Sequence, residues 1–115
     1  MDYLNLHGTA SALNDEVEAA LVARRYAADV HASATKGVTG HTMGAAGIVQ
    51  AAICSLALRD GLCSGSVNTG ALDPALGEVF AAQLKRGPAR RGVTLAASHS
   101  FGFGGNNASV LLEAA

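Results

Sequence analysis

An α/β fold, with a sheet covered by helices on both faces, is what this sequence predicts, and three observations predict it. Short β-like runs at Tyr3–Leu6, Val30–Thr35, Val93–Ala97 and Ala108–Leu112 alternate with segments of helical patterning. One of those segments, Met43 to Leu58, is apolar almost all round, as a helix buried against a sheet would be. Glycine-bearing turns also recur where strands finish or helices begin, which is where open α/β sheets gather ligands.

Taken in order, Tyr3 to Leu6 forms a strand that ends at His7-Gly8. Asn14 then supplies an N-cap, with Asp15 and Glu16 in the first turn of a helix running to about Ala28. Val17, Ala20, Leu21 and Ala28 keep helical spacing as its packing face, and Arg24 and Arg25 suit the negative end of its dipole. After the extended stretch Val30–Thr35, the turn "KGVTGHT" leads into the apolar helix, whose C-terminal cap is Gly61 in "RDG". Asp73-Pro74 opens a third helix with Leu76, Val79, Phe80 and Leu84 on one stripe, ended by "RGP" at Arg86 to Pro88. The turn-rich "SFGFGGNN" separates the last two strands.

Composition excludes several function classes. The chain has 115 residues, half of them apolar, and a net charge of −1, so it is expected to be one globular domain. Its densest basic patch, "KRGPARR" from Lys85 to Arg91, lacks aromatic neighbours for base stacking, which argues against nucleic-acid binding. Cys54 and Cys63 stand in no metal-ligand or disulfide spacing, so neither a metal nor an oxidising compartment is expected. No stretch is long and apolar enough for a membrane span, no signal-peptide pattern opens the chain, and a cytoplasmic location is expected. A core strand two residues after the methionine reads as the start of a piece of a larger fold.

Three turns hold the candidate chemistry: "HGTAS" (His7–Ser11), "KGVTGHTMGAAG" (Lys36–Gly47) and "SFGFGGNN" (Ser100–Asn107). A neutral imidazole N–H can stabilise an oxyanion or enolate, and glycine beside His7 and His41 allows close approach of a ligand. A lone histidine next to glycine is more often a turn cap, however, and Lys36 alone is an ordinary lysine. "GFGGNN" runs strand to strand without a following helix N-terminus, so it is no phosphate loop. Cys54 lies within the apolar helix and behaves as a small apolar residue, Cys63 sits nearer a surface turn without a base, and His31 and His99 read as structural or surface residues.

In this order, "YLNLHGTAS", "ATKGVTGHTMGAAG" and "SFGFGGNNAS" resemble the C-terminal half of the β-ketoacyl-acyl-carrier-protein synthases, condensing enzymes of the thiolase superfamily, from Tyr3 to about Leu112. The resemblance implies the second half of a five-layered αβαβα fold, a mixed sheet with helices on either side, spanning residues 1–115. It implies that the half bearing the nucleophilic cysteine is absent from this chain. His7 and His41 match the paired histidines that assist decarboxylation of malonyl-carrier protein, and Lys36 matches the lysine that supports them. Thr9 and Ser11 match hydroxyls that hold the pantetheine arm. Phe103 matches the gating aromatic, whose N–H helps form the oxyanion hole, with Phe101 packed beside it.

The implied reaction is decarboxylative Claisen condensation in fatty-acid or polyketide-type biosynthesis. It uses no metal or organic cofactor beyond the phosphopantetheine arm carried by the acyl carrier protein. The implied partners are that carrier protein, the missing N-terminal half, and a second subunit in a homodimer or a heterodimer with a paralogue. An alternative is a non-catalytic partner subunit resembling a chain-length factor, although both histidines are kept. A thiolase fits less well, because that family usually has Pro where Thr42 stands. Two departures stand out: Gln50 occupies a position that is usually acidic, and Leu62–Pro88 does not follow the common pattern.

Overall fold

A computed structural model describes residues 1–115, and its central element is β1 (Tyr3–Asn5), all three residues of which are buried. It is buried because it has strands on both edges and helices on both faces. β1 pairs in parallel with β2 (His31–Ser33), Tyr3 opposite His31, and in parallel with β5 (Leu95–Phe101), Tyr3 opposite Ala96. β5 in turn pairs antiparallel with β6 (Asn107–Glu113), so the four-stranded sheet has the order β2-β1-β5-β6 and is mixed. A separate two-stranded ribbon joins β3 (Leu62–Cys63) to β4 (Ala89–Arg90).

Alternation along the strands divides the core in two. Leu4, Leu6, Ala32 and Ala97 face α1 (Ala12–Arg25) and α4 (Glu78–Gln83), with Ala19, Val22 and Phe80 filling the space between. Tyr3 and Ala96 face α3 (Ala46–Asp60), packing with Cys54, Ala57, Cys63 and Val93. The expected sheet with helices on both faces is therefore present. A single turn of helix, α2 (Lys36–Thr39), and a 3₁₀ turn at Met43–Ala45 lead from β2 into α3.

Several local expectations are corrected. α1 starts from Ser11, not Asn14, and ends at Arg25, because Tyr26 is already extended. Asn14 is inside the helix, its amide donating to Asp15 and to Glu18 Oε2 at 3.2 and 3.4 Å. The packing face is also rotated: Val17 is 57% exposed, while the acidic Glu18 is 2% exposed beside Ala19 and Val22. The C-terminal end of α1 is closed by Gln83, whose Nε2 donates to the carbonyls of Tyr26 and Ala27 at 2.9 and 3.2 Å.

α3 ends as expected at Gly61, in the left-handed region at φ 62°, with its N–H on the Ala57 carbonyl. The helix is not buried all round. Only the line Ala46, Gln50, Cys54 and Ala57 is covered, and Ile48 and Leu56 on other faces are exposed. Asp73 caps a 3₁₀ turn at Pro74–Leu76, and Gly77, at φ 84°, separates that turn from α4; Val79 points out and only Phe80 of the expected stripe is fully buried. β5 begins later and runs longer than expected, to Phe101, because its antiparallel partner β6 supplies hydrogen bonds up to the turn. β6, expected as an apolar strand, lies at the sheet edge with Val110 and Leu111 exposed.

Candidate active site

His7 lies just beyond the carboxyl end of β1, and a buried carboxylate fixes its turn. Glu18 Oε1 accepts the His7 N–H at 2.8 Å and Glu18 Oε2 accepts the Gly8 N–H at 2.9 Å. Burial pushes the Glu18 carboxyl up, but the His99 ring and the two backbone N–H groups outweigh it and hold its pKa below the usual range. Gly8 is required here: its φ is +48°, and a Cβ would come within 2.5 Å of the Ala34 Cβ. The turn thus brings β1 against the end of β2.

Lys36 opens α2 and reaches back across the strand ends. Its Nζ donates to the His7 carbonyl at 2.5 Å and to Gln50 Oε1 at 2.8 Å. Burial lowers its pKa, and the charge of Glu18 partly offsets this.

His41 follows Gly40 and is exposed, with its ring edge-on to that of His7 at 5.9 Å and 88°. Met43 holds a left-handed backbone, φ 52°, that turns its N–H onto His41 Nδ1 at 3.2 Å. With Nδ1 accepting, a neutral His41 carries its proton on Nε2 and presents it as a donor. His7 is buried; burial, the Lys36 charge and His41 lower its pKa against the opposing charge of Glu18. Two imidazoles and an ammonium at one end of the sheet can stabilise negative charge developing on a substrate oxygen.

Phe101, at the end of β5, completes the cluster. Its ring lies 5.6 Å from that of His7 and 5.7 Å from that of His99. Phe103 does not pack beside it: the residue sits in the next turn, fully exposed, with no ring contact to the cluster. Gly104 and Gly105, which follow it in the same turn, both have positive φ. Thr9 and Ser11 follow the His7-Gly8 turn and share a hydroxyl contact at 3.3 Å on the exposed side. Of the expected residues, then, His7, Lys36, His41 and Phe101 come together, Thr9 and Ser11 flank them, and Phe103 stands apart.

Three residues at the site carry roles that the sequence did not disclose. Glu18 was hidden by its charge, which periodicity assigns to solvent, in a helix where the neighbouring Glu16 is exposed. His99 is buried, with Nε2 2.7 Å from the Tyr26 hydroxyl and Nδ1 3.5 Å from Glu18 Oε1. Gln50 stood out only as a departure from the acid that the resemblance implies at its position, and its bonds to Lys36 and to the strand carbonyls were not evident. Neither cysteine belongs to the site: Cys54 donates to the Ala97 carbonyl, and burial pushes its thiol up to about 12. Cys63 is fully buried, not near the surface, because β3 tucks it against α3. No group of three or more His, Cys, Asp or Glu side chains could hold a metal ion, and no helix is long and apolar enough to cross a membrane. A cleft of about 350 Å³ between α1 and the loop before α4 touches Gly8 and Glu18 but neither His7 nor His41.

Comparison with known proteins bears on this arrangement. Residues 1–70 match the family described as the C-terminal domain of beta-ketoacyl synthase. The chain is 38% identical over 116 residues to 3-oxoacyl-[acyl-carrier-protein] synthase 2 of Rhizobium meliloti (strain 1021), covering 98% of this chain and 27% of that protein. It is 36% identical over 114 residues to 3-oxoacyl-[acyl-carrier-protein] synthase 1 of Escherichia coli (strain K12), with the same coverage. It therefore spans 27% of the length of these relatives. Among solved structures, the ishigamide ketosynthase/chain length factor superposes with a TM-score of 0.90 at 29% identity, over 100% of this chain and 28% of that one. A chain of the complex between the ketosynthase ApeO and its chain length factor ApeC, from Xenorhabdus doucetiae, gives a TM-score of 0.88 at 36% identity, over 98% of this chain and 28% of that one.

Proposed function

Since the chain belongs to the β-ketoacyl synthase family, we propose that it is the C-terminal, histidine-bearing part of an acyltransferase that joins an acyl thioester to malonyl-carrier protein. The observation that carries this reading is the pair of imidazoles, His7 and His41, set edge-on at 5.9 Å with Lys36 bound to the His7 backbone. The malonyl carboxylate leaves as carbon dioxide, and the electron pair of the broken C–C bond moves into the thioester as an enolate. The two ring N–H groups hydrogen-bond the enolate oxygen as its charge grows. The carbanion then attacks an acyl group held as a thioester on a cysteine from the N-terminal half, forming the new C–C bond and releasing the thiolate.

Thr9 and Ser11 offer exposed hydroxyls beside His7 to the phosphopantetheine arm of the acyl carrier protein; the reaction as written draws on no metal or organic cofactor beyond that arm. In this reading Phe103, exposed on its glycine-rich turn, swings in and contributes its N–H once the acyl chain is bound. The partners are the carrier protein, the N-terminal half, and a second subunit, either a copy or a paralogue; the setting is fatty-acid or polyketide-type synthesis in the cytoplasm.

In the full-length protein, His7→Ala and His41→Ala are each expected to slow malonyl-carrier-protein decarboxylation by about 100-fold or more, the usual loss for one oxyanion donor. A rate within about twofold of wild type in both variants would overturn the reading. The non-catalytic partner-subunit alternative is separated by the upstream sequence, which must supply the nucleophilic cysteine for the catalytic reading to stand.

A further inference from the structure

Gln50 is 2% exposed, and both edges of its amide are engaged. Oε1 accepts from Lys36 Nζ at 2.8 Å, while Nε2 donates to the carbonyls of Leu6 and His99, each at 3.0 Å, and of Asn5 at 3.4 Å. The partners fix the orientation of the amide, because an ammonium only donates and a carbonyl only accepts. Leu6 lies just past β1 and immediately before His7, and His99 lies on β5 two residues before Phe101. The contacts therefore run without a break from β5 through Gln50 and Lys36 to the backbone of His7.

A carboxylate at this position would neutralise Lys36 but would have no proton for the strand-end carbonyls. The amide serves both, and it leaves both direct acceptors of the Lys36 ammonium uncharged. The nearby acid, Glu18, has its oxygens committed to His7, Gly8 and Asn14. We propose that Gln50 is a positioning residue that seats Lys36 on the His7 backbone without adding a countercharge of its own, which keeps His7 a neutral hydrogen-bond donor. The catalytic consequence rests on the condensing-enzyme reading above; the positioning itself is a property of the folded chain.

The charged and titratable groups around His7 are Lys36 from α2, Glu18 from α1, His41 from the turn before α3, and His99 two residues before Phe101 on β5. Ring-nitrogen NMR of the full-length protein reads His7 without substrate. Gln50→Glu is expected to raise the half-titration pH of His7 by about one unit, since the added charge cancels that of Lys36. Gln50→Met keeps the volume but removes an acceptor from a half-buried ammonium, so side-chain NMR is expected to show the Lys36 titration lowered by about one unit.

A folded Gln50→Glu variant in which His7 titrates as in wild type overturns the proposal. If that variant fails to fold, Gln50→Met decides, and an unchanged Lys36 titration there overturns it. Absence of decarboxylation by the wild-type protein would count against the catalytic reading alone, because neither titration uses substrate.

Discussion

Glu18 Oε1 accepts the backbone N–H of His7 at 2.8 Å, so the placement of the candidate catalytic histidine is set from α1, eleven residues further along the chain. The partner oxygen takes the Gly8 N–H, and together they satisfy two donors that the sheet leaves unpaired. Glu18→Gln retains one acceptor and turns an amide N–H toward the other donor. It is expected to cost about 1–3 kcal/mol, the range for stranding a buried polar group, and Glu18→Ala about 2–5 kcal/mol for stranding both. Urea denaturation of the full-length protein measures this; a loss below about 0.5 kcal/mol in Glu18→Ala would show that the carboxylate does not hold the turn.

Gly8 meets two separate constraints that one double variant can take apart. Its positive φ disfavours any side chain, and an added Cβ would collide with Ala34 at 2.5 Å. Gly8→Ala is expected to destabilise by about 1–3 kcal/mol and to slow decarboxylation through the shifted His7. Adding Ala34→Gly removes the collision but not the backbone cost, so it is expected to restore part of the stability. A double variant no more stable than Gly8→Ala would mean that the contact with Ala34 is unimportant.

The turns that carry His7, Lys36 and His41 were legible because glycine marks each of them and strand-to-helix alternation places them at one end of the sheet. The α1 face was misjudged for a physical reason: periodicity assigns a charged residue to solvent, whereas Glu18 is buried by hydrogen bonds to a turn that is local in space but not in sequence. α3 misled in the other direction. Its all-round hydrophobicity implied all-round burial, but in this chain only the line through Ala46, Gln50, Cys54 and Ala57 is buried. Phe101 and Phe103 differ by two residues, yet the first ends β5 against His7 and the second opens an exposed turn after the extended Gly102, a difference that composition permits but does not dictate. His99 gave no signal at all, since its partners Tyr26 and Glu18 come from the far end of the chain.

A third buried histidine makes the stability of the fold depend on pH in a calculable direction. His31 Nε2 donates to the Ser64 carbonyl at 2.7 Å, and the residue is 3% exposed. Burial lowers its pKa; the Ser64 bond opposes this, and the charges of Arg91 and Lys85 add to the lowering. Between the folded pKa and the unfolded value of about 6.5, the unfolded chain binds more protons, so stability rises with pH across that window. The contribution is complete above about 6.5 and is lost as pH falls through the folded pKa. His7, lowered in the same direction, adds to the slope. His31→Gln keeps an N–H donor for Ser64 but cannot titrate, and it is expected to flatten, though not abolish, the fall in urea midpoint from pH 7.5 to pH 5. A slope identical to wild type in that variant would mean that His31 is equally free to protonate in the folded and unfolded chains.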